Sequence, residues 1–386
     1  MIASRPLPLR SLTVLAIVLV ATGTPVLAGP HHAVSLQVLH PFGTSPDPTT
    51  STDVRLSLLW GRSQSVGLFD LGLVATQTDG DVRGVQWVGA YAGIDGDLRG
   101  VGITSGLHRV SGDVGGAQFG GVASWTWGRV GGLQYGTLLS YAEDGVSGAQ
   151  LSGLINICDG PGRWAQLSTV ANVIASEFTG LQASTLFNSS GGTMQGAQFG
   201  LLNFARRADG VQIGLVNVAE RARGVQIGLI NATREMHGLP LGLVNASDDG
   251  VRGPVLYATS VSLVNVGYRS EVNGWYSTIA AGWYEVGADQ TSAGSVAWHF
   301  GRRIWGDRHR SLAIDVGAVH LIPENAGERP DERLHPSVQI RLTGDLWLNG
   351  HWGLHGAVGL AATAGSYDDG ADSEDELLLA AGVMWR

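Results

Sequence analysis

The chain has 386 residues, 58 of them Gly, and only 15% are charged, against roughly 25% in ordinary soluble domains. A formal net charge of −9 and the lack of any Lys argue against general nucleic-acid binding, which needs basic surface to displace counterions. A single cysteine, Cys158, excludes an internal disulfide framework.

Residues 1–28 read as a Sec-type signal peptide. Arg5 and Arg10 form a positive start, Ser11 to Thr24 is an apolar stretch, and Val26 and Ala28 are the small residues of a cleavage site before Gly29. Without it the chain keeps 22 basic and 33 acidic residues. No later stretch holds 18 consecutive apolar residues, so the sequence predicts no transmembrane helix.

A repeat begins at Gly84 and steps by sixteen residues: Gly84-Val-Gln86, Gly100-Val-Gly102, Gly116-Ala-Gln118, Gly132-Leu-Gln134, Gly148-Ala-Gln150, Trp164-Ala-Gln166, Gly180-Leu-Gln182 and Gly196-Ala-Gln198. The step then shortens to fourteen, at Gly210-Val-Gln212, Gly224-Val-Gln226 and Gly238-Leu-Pro240. Eleven units keep phase, with departures at Gly102, Trp164 and Pro240. Each unit joins about ten uncharged residues, such as "GAQLSGLINI" (148–157), to a short polar link such as "AERAR". Period-two alternation within the uncharged segment predicts strand. Gln150 and Asn156 share the small polar parity, and Ala149, Leu151, Ile155 and Ile157 the apolar one. In the fourteen-residue units Gln212 and Asn217 fall on opposite parities, and a bulge or bend near Gly214 would restore the faces.

The C-terminal third carries strand-like segments at 276–287, 294–303, 311–322, 337–348, 351–365 and 376–386. Asn349-Gly350 is a hairpin signal. Trp275, Tyr276, Trp283, Tyr284, Trp298, Trp305, Trp347 and Trp352 sit near segment ends, where interface girdles lie. The last strand resembles that of bacterial outer-membrane barrels, with Trp385 next to last and Arg386 a departure.

A membrane-crossing strand of about 9–11 residues leaves roughly four to six for a hairpin loop, which suits the repeat length. Placing charge only in the links avoids about 2–4 kcal/mol for an Arg near the bilayer midplane. The expected fold is therefore all-β: an up-and-down antiparallel transmembrane β-barrel of about 18–22 strands. It would form one domain over 29–386, with the Gly-x-Gln region at 84–250 and further barrel strands at 251–386. The apolar parity would face lipid, and the Gln parity the lumen. The alternative is a β-solenoid joined to a smaller C-terminal barrel. Against it stands the near absence of charge on either parity, since a solenoid's outer faces meet water.

The Gly-x-Gln-x-Gly-Leu-x-Asn units resemble the Leptospira-type surface-repeat proteins of Gram-negative bacteria, over about 84–250 and best at 196–247. The resemblance implies an exported surface location, with no enzyme activity and no defined substrate.

The sequence shows no Gly-x-Ser-x-Gly elbow, no His-Glu-x-x-His and no phosphate loop. The reading is a non-enzymatic outer-membrane or surface protein, a passive channel or a structural element, without cofactor or metal. Its partners would be outer-membrane lipid and the barrel-assembly machinery, with ligand unknown. A secreted or surface solenoid binding a partner or glycan is the alternative. Gln86, Gln118, Gln134, Gln150, Gln166, Gln182, Gln198, Gln212 and Gln226 either line a lumen or bond to one another across neighbouring strands. His31-His32, Cys158, the acidic run at 367–376 and the cluster Arg302, Arg303, Arg308 and Arg310 read as polar ends, links or solvated loops.

Overall fold

The computed structural model describes residues 30–260, 262–286, 291–307, 309–323, 335–363 and 374–385; the segment expected to be a signal peptide lies outside them. The chain divides into two compact units, Met1–Gly128 and Arg129–Arg386.

In the first unit, His31–Leu39 pairs parallel with Ser51–Ser63, and the short strand Phe42–Gly43 pairs antiparallel with His31–Leu39. From Val66 to Val110 each coil contributes a longer and a shorter strand, such as Val82–Val88 and Tyr91–Ile94, and the next contributes two of four residues, Ala117–Gly120 and Ala123–Thr126. Each strand lies parallel to its counterpart in the next unit, with Val82 on Leu98 and Tyr91 on Leu107. This is a β-solenoid.

The second unit contains the same kind of coil and then a barrel. Val146–Ser152 stacks parallel on Gly162–Ser168, Gln150 on Gln166, and Ile155–Cys158 stacks on Ala171–Ile174. The fourteen-residue coils stack Gln198 on Gln212, Gln212 on Gln226 and Gln226 on Pro240. The repeats are therefore coils of a solenoid, and the expected hairpin strands of a large barrel are corrected. The reason is local: the uncharged ten-residue segment is not one strand. Bends at Gly153-Leu154 and Gly214-Leu215 cut it into two strands that turn round a common interior. The bend also puts Gln212 and Asn217 on the same inner side despite their opposite parity; both are fully buried.

The repeat's Gly has its own cause. Gly196 and Gly210 have φ of 128° and 155°, and a Cβ at Gly196 would lie 2.1 Å from the carbonyl oxygen of Gly180 in the preceding coil. Only Gly meets both demands without strain. Trp164 occupies the same place at φ 88° with its ring turned outward, 75% exposed.

Residues 251–385 close into a barrel of eight antiparallel strands. Closure comes from Val251–Thr259 pairing with Glu374–Trp385. Inward and outward residues alternate along the barrel's strands where the pairing is regular. In His335–Trp347, Gln339, Arg341, Thr343 and Asp345 are buried, while Val338, Ile340, Leu342 and Leu346 are exposed. One end of the barrel carries both termini and short turns at Asn273-Gly274, 307–309 and 348–351. The opposite end carries the tight turn after Thr259 and the strand ends Val286, Pro323 and Thr363, the last two separated from their next strands by eleven and ten residues of chain.

Candidate functional site: two polar interiors and an apolar exterior

The Gln series lies inside the solenoid, not in a barrel lumen. In the second unit Gln150, Gln166, Gln182, Gln198, Gln212 and Gln226 each donate Nε2–H to Oε1 of the Gln one coil earlier, at 2.7–2.9 Å. Gln134 accepts the first of these bonds within the second unit. The amide also reaches across the interior, as from Gln150 to the carbonyl of Ile157 at 3.0 Å. An Asn column faces it. Asn156, Asn172, Asn188, Asn203, Asn217 and Asn231 donate Nδ2–H to the Asn one coil later, at 2.8–3.0 Å. The two columns run in opposite directions. Buried amides with partners are stable, and unpaired ones cost about 1–3 kcal/mol each. Pro240 ends the Gln column and leaves Gln226 Oε1 without a donor.

In the first unit Gln86 donates to Asp70 Oδ2 at 2.8 Å, and Asp70 accepts a bidentate pair from Arg55 at 2.7 and 2.6 Å. His108 Nε2 lies 2.9 Å from Gln86 Oε1, so the ring donates there as the neutral tautomer. Burial pushes this imidazole down to about 3. Gln118 is fully buried and donates to the carbonyl of His108 at 3.0 Å.

The barrel interior holds a second polar set that the sequence reading missed. Arg341 clasps Asp315 at 2.9 and 2.8 Å, and Asp315 accepts from Tyr276 Oη at 2.7 Å. Arg269 pairs with Asp345 at 2.9 Å and stacks 3.7 Å over the Tyr276 ring. His355 Nδ1 meets Asp345 at 2.7 Å, and His299 meets Gln339 at 3.0 Å. The signal lay in the alternation: Asp315 shares a parity with Ala313, Gly317 and Val319, all inside. Tyr276, expected in a girdle, points inward instead. Trp275, Trp305, Trp352 and Trp385 do gather at the end with the short turns, Trp352 and Trp385 with centroids 5.7 Å apart.

The other candidates stay apart. His31 lies 3.2 Å from Asp53, with both side chains about half exposed. Cys158 is buried, its Sγ 3.3 Å from the carbonyl of Gly160, and burial raises the thiol to about 12. Arg303 pairs with Glu271 at 2.9 Å, and Arg302 and Arg310 lie over Trp275 and Trp305. Arg308 and the acidic run up to 373 lie outside the described residues. No group of three His, Cys, Asp or Glu is gathered as a ligand set among the described residues.

The exterior is the remaining feature. In the second unit the bend residues Leu138, Leu154, Leu186, Leu201, Leu215 and Leu229 form a column, each 40–49% exposed. Charge collects on the opposite edge of each coil, where Arg206–Glu220 and Arg221–Glu235 stand 4.0 and 2.9 Å apart.

These features define a class of architecture: a parallel β-solenoid with an amide core, in one chain with a closed eight-stranded barrel of polar interior. No family model, curated protein or solved structure matches this chain.

Proposed function

We propose that the chain is a non-enzymatic protein of the bacterial outer membrane, whose barrel spans the bilayer as a filled anchor. The observation that carries this reading is the inverted barrel: exposed Val, Leu and Ile outside, paired Arg and Asp within. In water such an outer wall would be a large unpartnered apolar patch; in lipid it is what an outer-membrane strand requires. Eight strands leave an interior just wide enough for side chains to fill. That supports a structural role over a passive channel. In outer-membrane barrels short turns are periplasmic and longer loops extracellular. The end with the short turns, which also receives the last solenoid coil, is therefore periplasmic. The resemblance of the repeats to exported surface proteins agrees with export, and the short turns support a place beneath the membrane for the coils of the second unit.

The test is fractionation of expressing cells, gel electrophoresis with and without boiling, and planar-bilayer recording of the purified chain. Recovery in the outer membrane, heat-dependent migration and no steady conductance are expected. A protein soluble without detergent would refute the anchor, and a reproducible open conductance would refute the filled interior.

A further inference from the structure

We infer that the coils of the second unit lie along the periplasmic leaflet, with their leucine edge sunk among phospholipid acyl chains and their charged edge in water. This rests on the barrel's spanning the membrane.

The first observation is where the last coil, Leu239–Ser247, meets the barrel. Ser270 and Ser277 point outward from the barrel, on the opposite parity to the inward Arg269 and Tyr276, yet they are 1% and 0% exposed. The last coil covers them. Ser270 Oγ accepts from the backbone N–H of Asn245 at 3.1 Å, and Ser277 Oγ donates to the carbonyl of Leu243 at 2.9 Å. These backbone groups belong to the open end of the solenoid, where another coil would pair. The barrel's outer wall takes that coil's place. The coils therefore stack outward from the side of the barrel, not along its axis, and run beside it at the level of the rim.

The second observation fixes which edge faces the bilayer. The carbonyl of Gly238, next to His237 on the charged edge, accepts from Asn273 in the rim turn at 3.4 Å. Leu243, at the bend edge, meets Ser277, three residues further from that turn, or about 10 Å along the strand. The leucine edge thus points from the rim toward the middle of the barrel, and the charged edge stays with Asn273, Arg303 and Asp307. Both flanks of the coils are apolar as well. Ala149 and Leu151 lie on one, Ile155 and Ile157 on the other. Aromatics share these flanks: Tyr141, at the place of Ile157 one coil earlier, donates to Asp159 at 2.6 Å, and the rings of Phe187 and Phe204 lie tilted with centroids 5.3 Å apart. The coils thus pass from an apolar edge and apolar, aromatic-bearing flanks to a charged edge, the gradient that a membrane interface presents.

The full-length chain, in a Cys158→Ala background, tests this. The equivalent place one coil earlier is already Ala142, so that change preserves the stack. Single cysteines at Leu154, Leu215, Glu220 and Val316 carry an environment-sensitive fluorophore in phospholipid vesicles with brominated acyl chains. Quenching at Leu154 and Leu215 comparable to that at Val316, with Glu220 unquenched, is the expected result. Quenching at Val316 alone overturns the inference and leaves the barrel standing. Blue-shifted but unquenched probes at Leu154 and Leu215 overturn it in favour of a second copy or another protein. Absence of quenching at all four sites overturns the barrel reading, and the inference with it.

Discussion

At Gly102 the Gln column is interrupted, and the residue that compensates is His108. A Cβ on Gly102 would lie 2.0 Å from His108 Cε1, because the imidazole fills the volume a Gln would occupy. The ring thereby replaces one rung and bonds to Gln86, next to the buried Arg55–Asp70 pair. Its protonation has a predictable effect. The imidazole ordinarily titrates near 6.5, and burial holds it at about 3 in the fold, with Asp70 opposing that shift. The unfolded chain therefore binds the extra proton first. Stability is complete above pH 6.5 and falls as the pH drops through 3, by at most about 5 kcal/mol. Chemical denaturation across this range should show the loss, and His108→Asn should flatten the pH slope whatever its own baseline. An unchanged slope would mean that the ring is charged or hydrated in the fold. The departure at 102 was visible in the sequence. Its partner six residues on was not, because the bend brings His108 across the interior.

The strands show what alternation can and cannot reveal. Gln150 and Ile155 were read on opposite faces, and they are, but the Gln face encloses a solid amide core. Gln150 donates to Gln134 and to the carbonyls of Ser140 and Ile157. Gln150→Arg should therefore destabilise the coils by about 3–5 kcal/mol, the usual result of an unpaired buried charge. Ile155→Arg should leave the coils folded, since the side chain faces outward and is half-buried. Thermal unfolding in detergent, read by hydrogen exchange over 134–198, ranks the two; a reversed order would invert the faces. Strand content, the inward Gln and the polar links were legible in the repeat. The choice between hairpin and coil was not. A unit of sixteen residues suits either, and the deciding feature is a two-residue bend whose Gly-Leu signature also occurs inside continuous strands. The uncharged exterior argued for a barrel because solenoids normally meet water. Coils lying against lipid remove that objection.

The second unit as a whole joins two interiors of different chemistry, neutral amides in the coils and paired charges in the barrel. They share no side chain. Arg341→Ala would strand Asp315 in the barrel without its bidentate partner, at a cost of about 3–5 kcal/mol. The barrel should then lose its heat-resistant migration at lower temperature, while hydrogen exchange in coils 194–236 stays as in the wild type. Coils that loosen in step with the barrel would show that the two unfold as one. The opposed directions of the amide columns have one further effect. An aligned row of amides would build a dipole with every coil, as peptide groups do in a helix. Here one row points back toward the first coil and the other forward to the last, so their fields cancel along the axis. Inserting or deleting a fourteen-residue copy, such as 210–223, leaves no growing charge at either end and no broken hydrogen bond within. Copy number is then electrostatically neutral, and two adjacent coils of nearly identical sequence are the form such a duplication would take.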